Sequence, residues 1–189
     1  MHMKQISQVS LPGRQIKYDD RFSHLNRWTY LMMQAYEAKC FLELAENKHA
    51  VHPKSTLDEL LTQQALFRSF ILSYAKCFTS TGKGRLKLEQ NQIYGHDEKL
   101  LKSHIRAMEI RHKFAAHSDV SGLDDAALDV NEFEDRFRIK SYYSMANPLN
   151  EYSDFKELLA KLEIHIVDKL NSTINSLEKK LGKKIEIIQ

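Results

Sequence analysis

Residues 97–119 read DEKLLKSHIRAMEIRHKFAAHSD. Asp97 is placed to cap a helix, and Glu98 falls in the first turn, where an acid complements the helix dipole. Leu101, Ile105 and Met108 recur at three- and four-residue steps, and Ala115 continues that face. Leu100, Ala107, Ile110 and Phe114 form a second apolar row beside it. Two neighbouring apolar rows predict a mostly buried helix.

The same helix carries chemistry at its end. Arg111 sits among the apolar rows, where a charged side chain needs a partner. His117, Ser118 and Asp119 follow six to eight residues later. Arginine offers a fixed positive fork suited to phosphate, and histidine transfers protons near neutral pH. Together they suit chemistry on a phosphodiester, one group holding negative charge and the other moving a proton. The spacing imposes a condition: six residues at about 100° each leave the two directions roughly 120° apart. Arg111 and His117 therefore converge only if the helix ends before His117 or a second copy of the chain supplies the missing half. The competing reading pairs Arg111 with a buried acid and leaves His117 as a residue of the C-terminal turn, interacting with the dipole. Asp119 is placed either to hold the His117 ring or to cap the following turn.

Arg111-His112-Lys113-Phe114-Ala115-Ala116-His117 fits the R-x(4–6)-H motif of the HEPN superfamily. The wider string IRHKFAAHSD resembles the LRNKxxAHxD wording of that superfamily's abortive-infection branch. The resemblance implies an all-α bundle that acts as a homodimer, with the two arginine–histidine motifs facing each other across a cleft. It implies a metal-independent endoribonuclease related to toxins or phage defence, with no cofactor. The RNA 2′-hydroxyl would attack the adjacent phosphorus, giving a cyclic phosphate and a free 5′-hydroxyl. In that scheme His117 transfers the proton, Arg111 holds the phosphate, Asp119 orients, and His112 or Lys113 assists. Lys113 and Ser118 beside the motif, with Lys83 and Arg85 in an earlier turn, are the candidate RNA contacts. The alternative is a non-catalytic helical dimer that binds RNA or a partner protein, such as an antitoxin, through the same cleft.

The rest of the chain reads as one domain over 1–189, up-and-down and helical. Residues 1–18 lack helical period and are broken by Pro12-Gly13, which predicts an extended arm. A first helix is expected over 19–47, its stripe running through Trp28, Met32, Ala35 and Leu42, with Trp28 in the core. Pro53 punctuates a connector, after which Ser55 caps a second helix to residue 79, with Asp58 in the capping-box place. Ser80-Thr81-Gly82-Lys83-Gly84-Arg85 reads as a loop; GxxxxGK[ST] and any preceding strand are absent, so it is no phosphate loop. With Lys87 it can steer an RNA backbone. After His117 the period breaks over 120–150, an acidic surface excursion in which Arg136 to Tyr143 alternates as a short strand or hairpin does. The last helix, 153–181, steps from Phe155 through Leu159, Leu162, Ile166, Leu170, Ile174 and Leu177 to Leu181, with Gly182 as its C′ residue and 182–189 a tail.

Composition limits the function classes. A net charge of +3 permits an anionic partner without demanding one. Cys40 and Cys77 lie inside apolar helical patterns, as reduced core thiols do. MHMKQISQVSLPG has no apolar core, and no window reaches the ~20 apolar residues of a membrane span, so a cytoplasmic chain with no membrane partner is expected. His104, His112 and His117 with Glu109 and Asp119 are the best metal candidates. His112 and His117 are five residues apart and do not stack on one helical face, so no metal site is expected.

Overall fold

Asp19 starts the first element. Its carboxylate accepts the Arg21 backbone N–H at 3.0 Å and pairs with the Arg21 guanidinium at 2.6 Å, setting a 3-10 turn over Asp20–Phe22. The computed structural model describes residues 19–48, 56–79, 85–116, 124–145 and 148–187. Its elements are α1 (Ser23–Asn47), α2 (Leu57–Lys76), a short α3 (Gln90–Tyr94), α4 (Glu98–Ala116), β1 (Asp124–Glu132), β2 (Phe137–Met145) and α5 (Tyr152–Leu181). The expected arm over 1–18 lies outside the described residues.

Cross-helix pairs give the topology. On α1 and α5, Glu46 pairs with Lys156 and Lys39 with Glu163 at 3.1 Å, so residue numbers fall on one helix as they rise on the other. Gln63 of α2 donates to the Ala45 carbonyl and Ser73 to Glu37, which sets α2 antiparallel to α1. Lys99 meets Asp154 and Glu157, and Arg106 meets Glu151, which sets α4 antiparallel to α5. With α2 also packed on α4, the four long helices close into an up-and-down ring.

The core is aromatic. Phe67 stacks on Tyr152 at 5.6 Å, Phe70 meets Phe155 at 5.3 Å, and Tyr74 meets Phe78 at 5.1 Å. Trp28 belongs to it, as expected, and its indole N–H donates to His24 Nε2 at 3.2 Å. Cys77 is buried and unoxidised, and burial pushes its thiol up to about 12. Cys40 is half-buried and also free.

Several boundaries differ from the sequence reading, each for a local reason. The capping box of α2 is one residue later than expected: Thr56 accepts the Glu59 N–H at 3.3 Å, and Glu59 reaches back to the Thr56 N–H at 2.9 Å. Glutamate is a methylene longer than aspartate, which lets it close the box. Thr56→Ala should lower stability by about 1 kcal/mol, read as a fall in the urea midpoint at constant slope. Asp97 caps α4 as expected, accepting the Leu100 N–H at 3.0 Å. On α4 the buried row is Leu100, His104, Ala107 and Ile110, whereas Ile105 is 45% exposed. Of the first row, Leu101 and Met108 pack partly buried against the core, while Ile105 stands exposed where α4 borders an open cleft.

The helix α5 is buried in its first half only. Tyr152, Phe155, Leu158, Leu159, Leu162 and Ile166 are in the core, while Ile174, Leu177 and Leu181 are half-buried. It ends as predicted, with Gly182 in the left-handed region at φ 63°. The tail folds back, Glu178 accepting the Ile185 N–H and pairing with Lys184, both at 2.9 Å.

The acidic excursion is half of a sheet. The strands β1 and β2 pair antiparallel from Asp124↔Met145 to Glu132↔Phe137 around a four-residue turn, in which the Phe133 N–H donates to the Arg136 carbonyl at 2.8 Å. Leu128, Val130, Phe137 and Ile139 share one face, and Asp129↔Lys140 and Asn131↔Arg138 the other. The acids masked the period-two alternation of β1. Both faces are exposed, with Leu128 at 64% and Phe137 at 63%.

Candidate functional site

An open cleft of about 710 Å³ runs between α4 and residues 87–91, the segment that leads into α3. Arg111, His112 and Lys113 line it from the last turns of α4. His104, Ile105, Met108 and Glu109 continue the wall one to two turns earlier, and Phe78, Leu88 and Lys87 face them. Lys87 also pairs with Glu89 at 3.3 Å, so both signs of charge line the opening.

Arg111 is half-buried, and no hydrogen bond or ion pair joins it to another described residue. Its neighbour one turn earlier behaves differently. Arg106 makes a two-pronged contact with Glu151, Nε to Oε2 at 3.0 Å and Nη2 to Oε1 at 3.2 Å. The bundle therefore answers one arginine of α4 with an acid and leaves the other facing the cleft. His112 and Lys113 are exposed beside it. Arg85 is not among the cleft residues; its guanidinium lies 4.1 Å over the ring of Tyr30 on α1. His117, Ser118, Asp119 and Lys83 lie outside the described residues. Among the described residues no three His, Cys, Asp or Glu side chains are grouped to hold a metal ion.

Sequence reading overlooked His104 as anything but a metal candidate. The side chain is 3% exposed and forms the inner end of the cleft. Its Nδ1 lies 2.7 Å from the Tyr74 hydroxyl, Tyr74 donates to the Tyr94 hydroxyl at 3.3 Å, and Tyr94 donates to the Leu158 carbonyl at 3.3 Å. In the tautomer that carries this chain through to the carbonyl, Nδ1–H of His104 donates to Tyr74 and Nε2 is an acceptor. Burial lowers the imidazole pKa to about 4, and both tyrosines are raised by burial. The edge of Phe78 meets the His104 ring at 4.5 Å. A seven-residue spacing was the available signal: 700° leaves His104 and Arg111 about 20° apart and roughly 10 Å along the axis.

The chain matches no protein-family model, and neither a curated protein nor a solved structure is detectably similar to it. No helix among the described residues is long and apolar enough to cross a membrane.

Proposed function

We propose that the protein is a metal-independent endoribonuclease of HEPN type that acts as a homodimer. One observation carries this reading: Arg111, the arginine of the R-x5-H motif, opens on the cleft with no ion pair to a described residue, while Arg106 on the same helix is neutralised. A half-buried guanidinium left facing open space is suited to an anion from outside, and its planar fork matches a phosphate. In the reaction the RNA 2′-hydroxyl loses its proton to His117 and attacks the adjacent phosphorus. The bond to the 5′-oxygen breaks, leaving a 2′,3′-cyclic phosphate and a 5′-hydroxyl that takes up a proton. Arg111 stabilises the charge that develops on the phosphoryl oxygens. Lys113 and His112, exposed at the same rim, hold flanking phosphates, and Asp119 orients the His117 ring. The resemblance of IRHKFAAHSD to the abortive-infection branch adds a toxin or phage-defence role to this reading.

The dimer supplies what one helix lacks. A two-fold axis at the C-terminal end of α4 brings two arginines and two histidines to one cleft, which removes the 120° offset as an obstacle. Sedimentation at micromolar concentration should give a mass of two chains, and a monomer there would remove the dimer from the mechanism. The activity test is labelled RNA incubated with the purified chain in EDTA, beside His117→Ala. Cleavage that survives EDTA, ends in a cyclic phosphate and vanishes in the variant is the expected result. Retained RNA without cleavage would replace the enzyme by a non-catalytic RNA-binding dimer, and binding of a protein antitoxin alone by a partner-binding one.

A further inference from the structure

We propose that the cleft holds one nucleotide of single-stranded RNA, with its phosphate at Arg111 and a hydrogen-bond donor of its base on Nε2 of His104. The inference rests on the ribonuclease reading for its choice of RNA and adds to it a base-recognition residue outside the R-x5-H motif.

The cleft is chemically polarised. At one end Arg111 presents donors only and Lys113 adds positive charge, while Lys87 is paired with Glu89. At the other, Nδ1 of His104 meets the Tyr74–Tyr94 chain that ends on the Leu158 carbonyl, and the tautomer that donates into that chain leaves Nε2 as an acceptor. Nε2 has no hydrogen bond to a described residue, yet it is not among the sealed polar atoms that lack one, so it reaches the cleft that His104 lines. A neutral ring nitrogen with a lone pair repels a phosphate or carboxylate oxygen and accepts from an N–H or O–H. The ligand must therefore be anionic at the Arg111 end and a donor at the His104 end.

Between the two ends the walls carry an apolar strip, bordered by Glu109 on α4 and by Glu89, Gln90 and Asn91 opposite. Ile105 and Met108 lie on one side and Phe78 and Leu88 on the other, which suits a flat aromatic body more than a sugar or an extended peptide. The two polar ends project from one helical face, roughly 10 Å apart along the axis. That separation fits a nucleotide lying along α4, phosphate outward and base inward. Free phosphate satisfies only one end, and an isolated nucleoside only the other.

The ring is also held to its task. Phe78 at 4.5 Å and Tyr74 at 5.9 Å from the imidazole fix its plane, and the 2.7 Å contact to Tyr74 fixes its rotation. A side chain positioned on two sides in this way discriminates by geometry, because an ill-placed donor leaves a buried acceptor unpaired.

The test uses the full chain and calorimetric titration with inorganic phosphate, ribose 5-phosphate and the four ribonucleoside 5′-monophosphates. At least one nucleotide should bind roughly tenfold more tightly than ribose 5-phosphate. His104→Phe should erase that advantage and leave ribose 5-phosphate affinity unchanged. In the wild-type chain the imidazole nitrogen-15 signal of Nε2 should move when nucleotide is added and stay in place with ribose 5-phosphate. Nucleotides that bind no more tightly than ribose 5-phosphate, or an Nε2 signal that ignores bound nucleotide, would overturn the proposal. The spectroscopic arm decides even if His104→Phe does not fold. RNA cleavage in EDTA with a silent Nε2 leaves the ribonuclease standing and removes this inference. Nucleotide binding through His104 without cleavage of RNA supports the base site and removes the enzyme.

Discussion

Arg111→Ala should lower RNA cleavage by about 10²- to 10³-fold while leaving the melting temperature nearly unchanged. The rate loss is that of a group that stabilises charge developing on a phosphoryl oxygen. The intact melt follows from the surroundings: Arg111 is half-buried and joined to no described acid, so its removal strands no counter-charge there. Arg106→Ala is the matched control. It leaves Glu151 without its two-pronged partner, at a stability cost of roughly 1 kcal/mol for a pair still partly in water, and should spare cleavage. Arg111→Lys keeps the charge but loses the fork, so it should recover only part of the rate and affinity. Rates from single-turnover cleavage and melts by circular dichroism on the three variants check the set. A collapsed melt for Arg111→Ala would make that arginine part of the frame and end its catalytic assignment.

Most of the bundle was legible because it rests on local signals. Four amphipathic stretches, the Asp97 cap and Gly182 each announce an element within a few residues of where it stands. What failed depends on neighbours that sequence spacing does not reveal. Of the two apolar rows on α4, one is buried in the core, and the other packs against it through Leu101 and Met108 while Ile105 opens on the cleft. Leucines at even steps predicted α5 as an anchor along its whole length. Its partners end before it does, so Ile174, Leu177 and Leu181 stay half-buried. The strand β1 was hidden because Asp124, Asp125, Asp129 and Glu132 read as a solvated run until β2 pairs with it and sets Lys140 opposite Asp129.

The candidate site was legible in part. Arg111, His112 and Lys113 line one cleft, which spacing does not give, since consecutive helical positions point about 100° apart. Arg85 reads as a free cation in sequence, yet an aromatic ring on a distant helix captures it. His104 went unseen because its role is set by Tyr74 and Tyr94, 30 and 10 residues away in the chain. A histidine inside an apolar row looks like packing until the direction of its hydrogen bonds is known.

That same histidine predicts acid sensitivity. Between pH 6.5 and about 4 the folded chain should lose stability as protons are added. Burial holds the His104 imidazole at a pKa of about 4, below the ordinary 6.5, so in this window the unfolded chain binds a proton that the folded chain refuses. Stability then rises with pH across the window; the full contribution is present above 6.5 and gone below about 4. The difference amounts to about 3 kcal/mol at most, since each pKa unit is worth about 1.4 kcal/mol. His165, lowered chiefly by burial, acts in the same direction. Carboxylates such as the exposed Asp19 and the half-buried Glu178, whose pKa values are lowered mainly by hydrogen bonds, lose their contribution at more acid pH. The interval from pH 6.5 to 5 therefore isolates the histidines. Urea midpoints at pH 7, 6 and 5 should fall steadily in the wild-type chain and fall much less in His104→Phe, where His165 is the histidine with a lowered pKa that remains among the described residues. Equal slopes in the two proteins would mean that His104 titrates alike in the folded and unfolded chain, and that its burial does not hold it neutral in this window.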